Sequence, residues 1–317
     1  MGALVRIVTF KNISRENKKL EILDGLPALL PYGINDYGLK HVGNTLKAWM
    51  EVYNLESKMP IFKLRSTAED VAAVSESKEG NFYVSFKVKS GDKELLVPIV
   101  DPKNVFGSNT SYILPDVFLE KSIKDIENMR QLTSNKVPCA FSPIEVELKA
   151  NEEVQIYTVV GHTSDVSVLR EYAEKFSSQE YLNAKRKEGN EIIEQIVSDI
   201  WTDTSSDLFN EYAKQTCLDN VLRGGYPITL RKIDSNLVYH IYSRKHGDLE
   251  RDYNYFVLLP KYYSSGNANY RDVNQNRRED VFFHPEIGNY NIRFFMSLIQ
   301  ADGYNLLVIN GVKYRLK

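Results

Sequence analysis

Residues 263–280 read YSSGNANYRDVNQNRRED, a Gly/Ser/Asn turn followed by a dense run of fork-shaped polar side chains. Arg271, Asp272, Asn274, Gln275, Asn276, Arg277 and Arg278 bring guanidinium, carboxylate and carboxamide groups together. Each of these groups can hold a ligand through two atoms at once. Neighbouring hydroxyls of a sugar ring ask for that kind of partner. Aromatic residues lead into the run: Tyr253, Tyr255, Phe256, Tyr262, Tyr263 and Tyr270. Flat rings match the apolar C–H faces of a pyranose, so rings beside polar forks have the composition of a concave polar-ligand site. A solvated charged loop is the competing reading of the polar run. Core packing is the competing reading for the alternating YNYFVLL, and Arg251 with Asp252 reads as a structural ion pair.

Other chemistries find less support. The five histidines, His41, His162, His240, His246 and His284, show neither HExxH nor Cys/His ligand spacing, so no metal site is expected. Neither a phosphate-binding nor a dinucleotide-binding glycine fingerprint occurs, and a G-x-S-x-G elbow is absent. Lys+Arg 40 against Asp+Glu 42 gives a formal charge of -2, which argues against a nucleic-acid partner or an anionic membrane surface. Cys139 and Cys217 stand in apolar contexts and read as reduced, buried small side chains. No apolar run has the length of a membrane span. MGALVRIVTFKN, interrupted by Arg6, makes a poor signal peptide, so a cytoplasmic location is the default.

The elements that must position these residues fall into two periods. From Ala3 to about Thr163 the pattern is mostly strand: LVRIVTF, then KLEILDGLPALLPYGI, with a helix-compatible exception from about Gly38 to Tyr53. NFYVSFKV and KELLVPIV flank SGDK as a hairpin, and IEVELKANEEVQIYTVV reads as a second hairpin turning near NEE. Short strands at turn-punctuated intervals favour an antiparallel β-sandwich. The period then becomes helical. Asp165 can cap a helix carrying Leu169, Tyr172, Ala173 and Phe176, and a second helix ends in the stripe Ile192, Ile193, Ile196, Val197, Ile200. Thr204 with Asp207 forms an approximate capping box before a helix whose inward residues are Leu208, Phe209, Tyr212, Ala213, Cys217 and Val221, stopped by Gly224–Gly225. NIRFFMSLIQ is a further helix, and LLVI-NG-VKYRL carries a two-residue hairpin signal. Such late apolar helices cannot bury their inner faces alone, which predicts packing on the sandwich, on another chain, or on a longer continuation.

RDVNQN at 271–276 resembles the Arg-Asp-x-x-Gln-Asp motif early in the helical barrel of the cellobiose phosphorylase family, glycoside hydrolase family 94. FKNIS and LEILDG are similar to that family's opening strands, and VELKANEEVQIYTVVGHTSD to its closing ones. The helices at 165–201 resemble its linker, and NEYAKQTCLDNVLRGG its first barrel helix. The resemblance is closest to large, poorly characterised members and covers nearly the whole chain in order. It implies a β + α multidomain fold: a galactose-mutarotase-like super-sandwich at 1–164, a helical linker at 165–204, and the opening part of an (α/α)6 barrel at 205–317. It also implies that Arg271, Asp272 and Gln275 hold the transferred sugar; Asn276 and Arg277, in the same polar run, are further candidate contacts. Asn276 stands where the family carries an acid, which leaves the sugar's identity open. Asp272, beside Arg271, is read as a sugar contact and not as the general acid.

The implied reaction is phosphate-dependent glycosyl transfer from a β-glucoside with inversion, with inorganic phosphate as co-substrate and no other cofactor. One carboxylic acid protonates the leaving oxygen. That acid is expected beyond Lys317, so the chain is expected to be inactive by itself. The alternative is a non-catalytic carbohydrate-binding or assembly module. The expected ligand is a disaccharide or oligosaccharide, with room for a homodimer or a partner chain that completes the barrel.

Overall fold

The alternation in the first strands is realised in β1 (Ala3–Lys11) and β2 (Lys18–Leu26). The computed structural model describes residues 2–34, 36–66, 77–231, 236–241, 265 and 268–310. Beyond β2 come α1 (Asp36–Trp49), which kinks at Val42, β3 (Met50–Tyr53), β4 (Ile61–Leu64), β5 (Gly80–Lys89) and β6 (Asp92–Leu95). Three short helices follow, α2 (Lys103–Phe106), α3 (Asp116–Glu120) and α4 (Ile123–Glu127). The strands β7 (Ala140–Leu148) and β8 (Glu153–Thr163) precede α5 (Val166–Phe176) and α6 (Gln179–Val197). The chain divides into two compact units, Met1–Asn183 and Ala184–Lys317, so the division falls inside α6, within the stretch read as a linker.

Among the described residues the first unit contains two antiparallel sheets. The larger runs β1-β8-β5-β4-β3, with β6 also on β5; the smaller pairs β2 with β7. The expected hairpin β5–β6 forms, turning through Ser90 and Gly91, both at positive φ. The second expected hairpin does not. β7 pairs with β2 and β8 with β1 and β5, so IEVELK and VQIYTVV separate into different sheets. β1 and β2 part in the same way. The side chain of Asn12, buried at 7% exposure, holds the two crossings together. Its amide donates to the carbonyls of Glu16, Leu148 and Lys149. Local spacing signals a turn at NEE, but only the partner strands decide whether the two arms pair with each other.

β5 is buried on both faces, which explains its near-continuous apolar sequence. Phe82, Val84 and Phe86 meet Tyr157 and Val159 together with Leu169 and Phe176 of α5 and Leu182 of α6. Asp165 caps α5 by accepting from Ser167 N, as its position implied. On the other side, residues of β1 and β8 share a cluster with Leu20 and Ile22 of β2 and Ile144, Val146 and Leu148 of β7. Burying one such side chain contributes roughly 1.5–3 kcal/mol. Within the buried interior the Tyr83 hydroxyl lies 2.8 Å from Ser142 Oγ, a polar link between β5 and β7. Both cysteines are buried and free.

The second unit holds the remainder of α6, then α7 (Asp207–Gly224), β9 (Tyr226–Arg231), β10 (Asn236–Ile241), β11 (Ala268–Asn269), α8 (Tyr270–Arg277), α9 (Asp280–Phe283), α10 (Tyr290–Ser297) and β12 (Val308–Ile309). β9 pairs with β10 and β11 with β12, both antiparallel. The cap of α7 is Ser206, which accepts from Phe209 N, not Thr204. Leu208 is 81% exposed and Tyr212 65%, against the inward face expected of them; Cys217 is buried. Ile192 and Ile193 of the expected stripe are also exposed, whereas Ile196 and Val197 are buried. The aromatic run Tyr253–Tyr263 and the second arm of the hairpin at Asn310–Gly311 lie outside the described residues. Among the described residues no helix is long and apolar enough to cross a membrane.

Candidate functional site

The polar run becomes a helix at Tyr270. Asn269 caps α8 by accepting from Arg271 N at 3.0 Å. Tyr270 and Val273 point into a cluster with Phe295 of α10, and the Tyr270 hydroxyl donates to the Phe295 carbonyl at 3.1 Å. These contacts anchor one face of α8. With that face inward, the spacing i, i+3, i+4, i+7 sets Arg271, Asn274, Gln275 and Arg278 along one exposed strip.

The five residues singled out from sequence therefore do not share one surface. Arg271 and Gln275 line an open concavity of about 340 Å³ with Tyr270, Asn274, Arg278 and Asn305. Asp272 is buried, and Arg271 Nε donates to its Oδ1 at 3.0 Å. Asn276 donates its side-chain amide to the Asp272 carbonyl at 2.6 Å and lines a second, separate cavity. Arg277 is buried, and its Nε donates to the carbonyl of Gly224 at the end of α7. The close approach explains the glycine: a Cβ at Gly224 would stand 3.2 Å from Arg277 Cγ.

A buried polar network extends from Arg277. His240 Nε2 lies 2.8 Å from Asp280 Oδ2, and Asn291 donates to the same oxygen and to the Arg277 carbonyl, both at 2.9 Å. Burial, reinforced by the Arg277 charge, pushes the His240 imidazole down to about 4, against the opposing pull of Asp280. At neutral pH the pair is a neutral imidazole donating to a carboxylate. Burial also lowers the Arg277 guanidinium to about 10, so it remains charged at neutral pH.

The second cavity, about 150 Å³, lies between α7 and the stretch from Asn276 to His284, with Asp199, Ile200 and Pro227 completing its wall. His284 Nε2 is 3.7 Å from Asp199 Oδ2, and its Nδ1 is 3.7 Å from Glu286 Oε1. Among the described residues no group of three or more His, Cys, Asp or Glu side chains could hold a metal ion.

Asn274 and Arg278 complete the Arg271 strip; both stood within the polar run, and helical spacing applied to it would have joined them. Asn305, Asp199 and Asn291 carried no comparable local signal, since each arrives from a distant part of the unit. Together, fold and site define a two-unit protein of mixed β and helical content with antiparallel sheets. Comparison with protein-family models and with curated proteins gives no match.

Proposed function

We propose that this is a carbohydrate-active protein of the inverting phosphorylase type, in which α8 holds a glycosyl unit of a β-glucoside and inorganic phosphate is the co-substrate. The observation that carries the reading is the exposed strip of α8, where Arg271, Asn274, Gln275 and Arg278 line one open concavity. Its volume, about 340 Å³, lies at the small end of the roughly 300–1,000 Å³ typical of ligand sites. Guanidinium and carboxamide forks on rigid helix positions suit vicinal hydroxyls and can strengthen their contacts as positive charge develops on the ring. Asp272, held by Arg271, acts in this reading by fixing the guanidinium. Two antiparallel sheets sharing a core support the sandwich reading of the first unit, and the packing of α7 on α8 is compatible with the opening of a helical barrel.

A non-catalytic carbohydrate-binding or assembly module is the second reading. It draws on one observation, that the carboxylate on α8 is already engaged by its neighbour. Calorimetric titration with a panel of β-linked disaccharides tests the binding both readings share. Binding is expected to weaken at least about tenfold in Arg271→Ala and Gln275→Ala. Binding unchanged in both variants would remove α8 from consideration. Phosphate-dependent release of a sugar 1-phosphate would exclude the binding-module reading and overturn the expectation that the chain is inactive by itself.

A further inference from the structure

The cavity walled by α7 and the α8–α9 segment takes no part in the sugar-holding strip. We infer that it is a binding site for a small organic monocation with a ring-sized apolar body. Its volume, about 150 Å³, matches that of a cavity able to enclose one benzene-sized ring. Ile200, Val221 and Phe283 supply apolar wall for such a ring.

The polar part of the wall has one dominant sign. Asp199, Glu279 and Asp280 line the cavity, and among the described residues no lysine or arginine does. Asp280 accepts from His240 and Asn291, but both are neutral donors, so its charge is not cancelled by them. Arg277 offsets part of that charge from outside the lining while its Nε serves the Gly224 carbonyl. Arg278 reaches Glu279 at 3.1 Å through a side chain 70% exposed, where a pair is weak and screened. Asp199 stands 3.7 Å from His284, beyond hydrogen-bonding distance, which leaves its carboxylate able to accept from a ligand. The field reaches the cavity wall at Cys217, whose thiol is pushed up by burial and then by Asp199. A cation with an apolar ring satisfies both parts of this wall, whereas an anion meets three carboxylates.

The test is ligand-observed NMR titration of the whole chain with benzylamine, benzyl alcohol and benzoate, three probes of similar size and different charge. Benzylamine is expected to bind at least about tenfold more tightly than benzyl alcohol, with benzoate weakest. Asp199→Asn, at a partly exposed position, is expected to reduce that preference severalfold without disturbing the fold. Val221→Phe is expected to fill the cavity and abolish binding of both amine and alcohol. Equal affinity for amine and alcohol, no binding of benzylamine, or a preference unmoved by Asp199→Asn would each overturn the inference. Arg271→Ala is expected to leave benzylamine binding unchanged, so this site and the sugar strip succeed or fail separately.

Discussion

His240 and Asp280, forty positions apart, meet at 2.8 Å in the interior of the second unit, and the imidazole enters that contact uncharged. Asn291 completes the arrangement by donating to the same carboxylate oxygen and to the Arg277 carbonyl. β10, the start of α9 and the start of α10 are thereby held to one oxygen atom, and the geometry depends on the protonation of one ring.

Because burial holds His240 near 4, below its ordinary value of 6.5, the unfolded chain binds the extra proton more readily than the folded one. The stability associated with the neutral ring is complete above about pH 6.5 and declines as pH falls toward 4, by an amount on the order of a few kcal/mol. Urea denaturation at a series of pH values checks this. The slope between pH 4 and 6.5 is expected to flatten in His240→Gln.

Arg277→Ala and Arg271→Ala are expected to act on different properties. Arg277 is buried against Gly224, so its removal leaves a buried carbonyl without its donor and Asp280 without its neighbouring cation. A loss of about 2–4 kcal/mol of stability follows. Arg271, with a side chain 71% exposed, donates to the buried Asp272, so its removal is expected to cost only about 1 kcal/mol of stability while weakening saccharide binding. Denaturation and calorimetric titration of the two variants side by side measure the separation.

Two glycines share nearly the same backbone angle and differ in what surrounds them. Gly225 has φ +89, and a Cβ there would stand 2.8 Å from His240 Cβ; Gly91 has φ +90 with nothing within 4 Å. Gly91→Ala therefore meets only the left-handed strain, about 1–2 kcal/mol. Gly225→Ala adds a steric overlap worth roughly 1–3 kcal/mol more and is expected to displace His240. Comparative thermal melts give the difference.

Asn12 offers a test of the crossings between the two sheets. Asn12→Ala leaves the carbonyls of Leu148 and Lys149 without the side-chain donor they now have. A cost of about 1–3 kcal/mol is expected, with faster hydrogen exchange in the backbone around residues 148–153.

Much of the local structure was legible in the chain. Period-two alternation marks β1, β2, β7 and β8, because successive side chains of a strand face opposite ways whatever the strand pairs with, and a short near-continuous apolar run marks β5. Asp165 announces α5, since a cap acts within its own turn, and the SGDK hairpin closes over two residues. Sheet membership was not legible. β7 and β8 look like a hairpin, yet each finds its partner far away, because pairing is decided by which apolar faces can be buried together. The site divides in the same manner. Residue types pointed to the whole polar run from Arg271 to Arg278, and the family resemblance narrowed it to Arg271, Asp272, Gln275, Asn276 and Arg277 as candidate sugar contacts. Tertiary structure set Arg271 and Gln275 on an open strip, buried Asp272 and Arg277, and turned Asn276 toward a different cavity. The physical reason is that α8 must bury Tyr270 and Val273 against Phe295 and press its far end against Gly224, and those contacts fix the rotation of the helix.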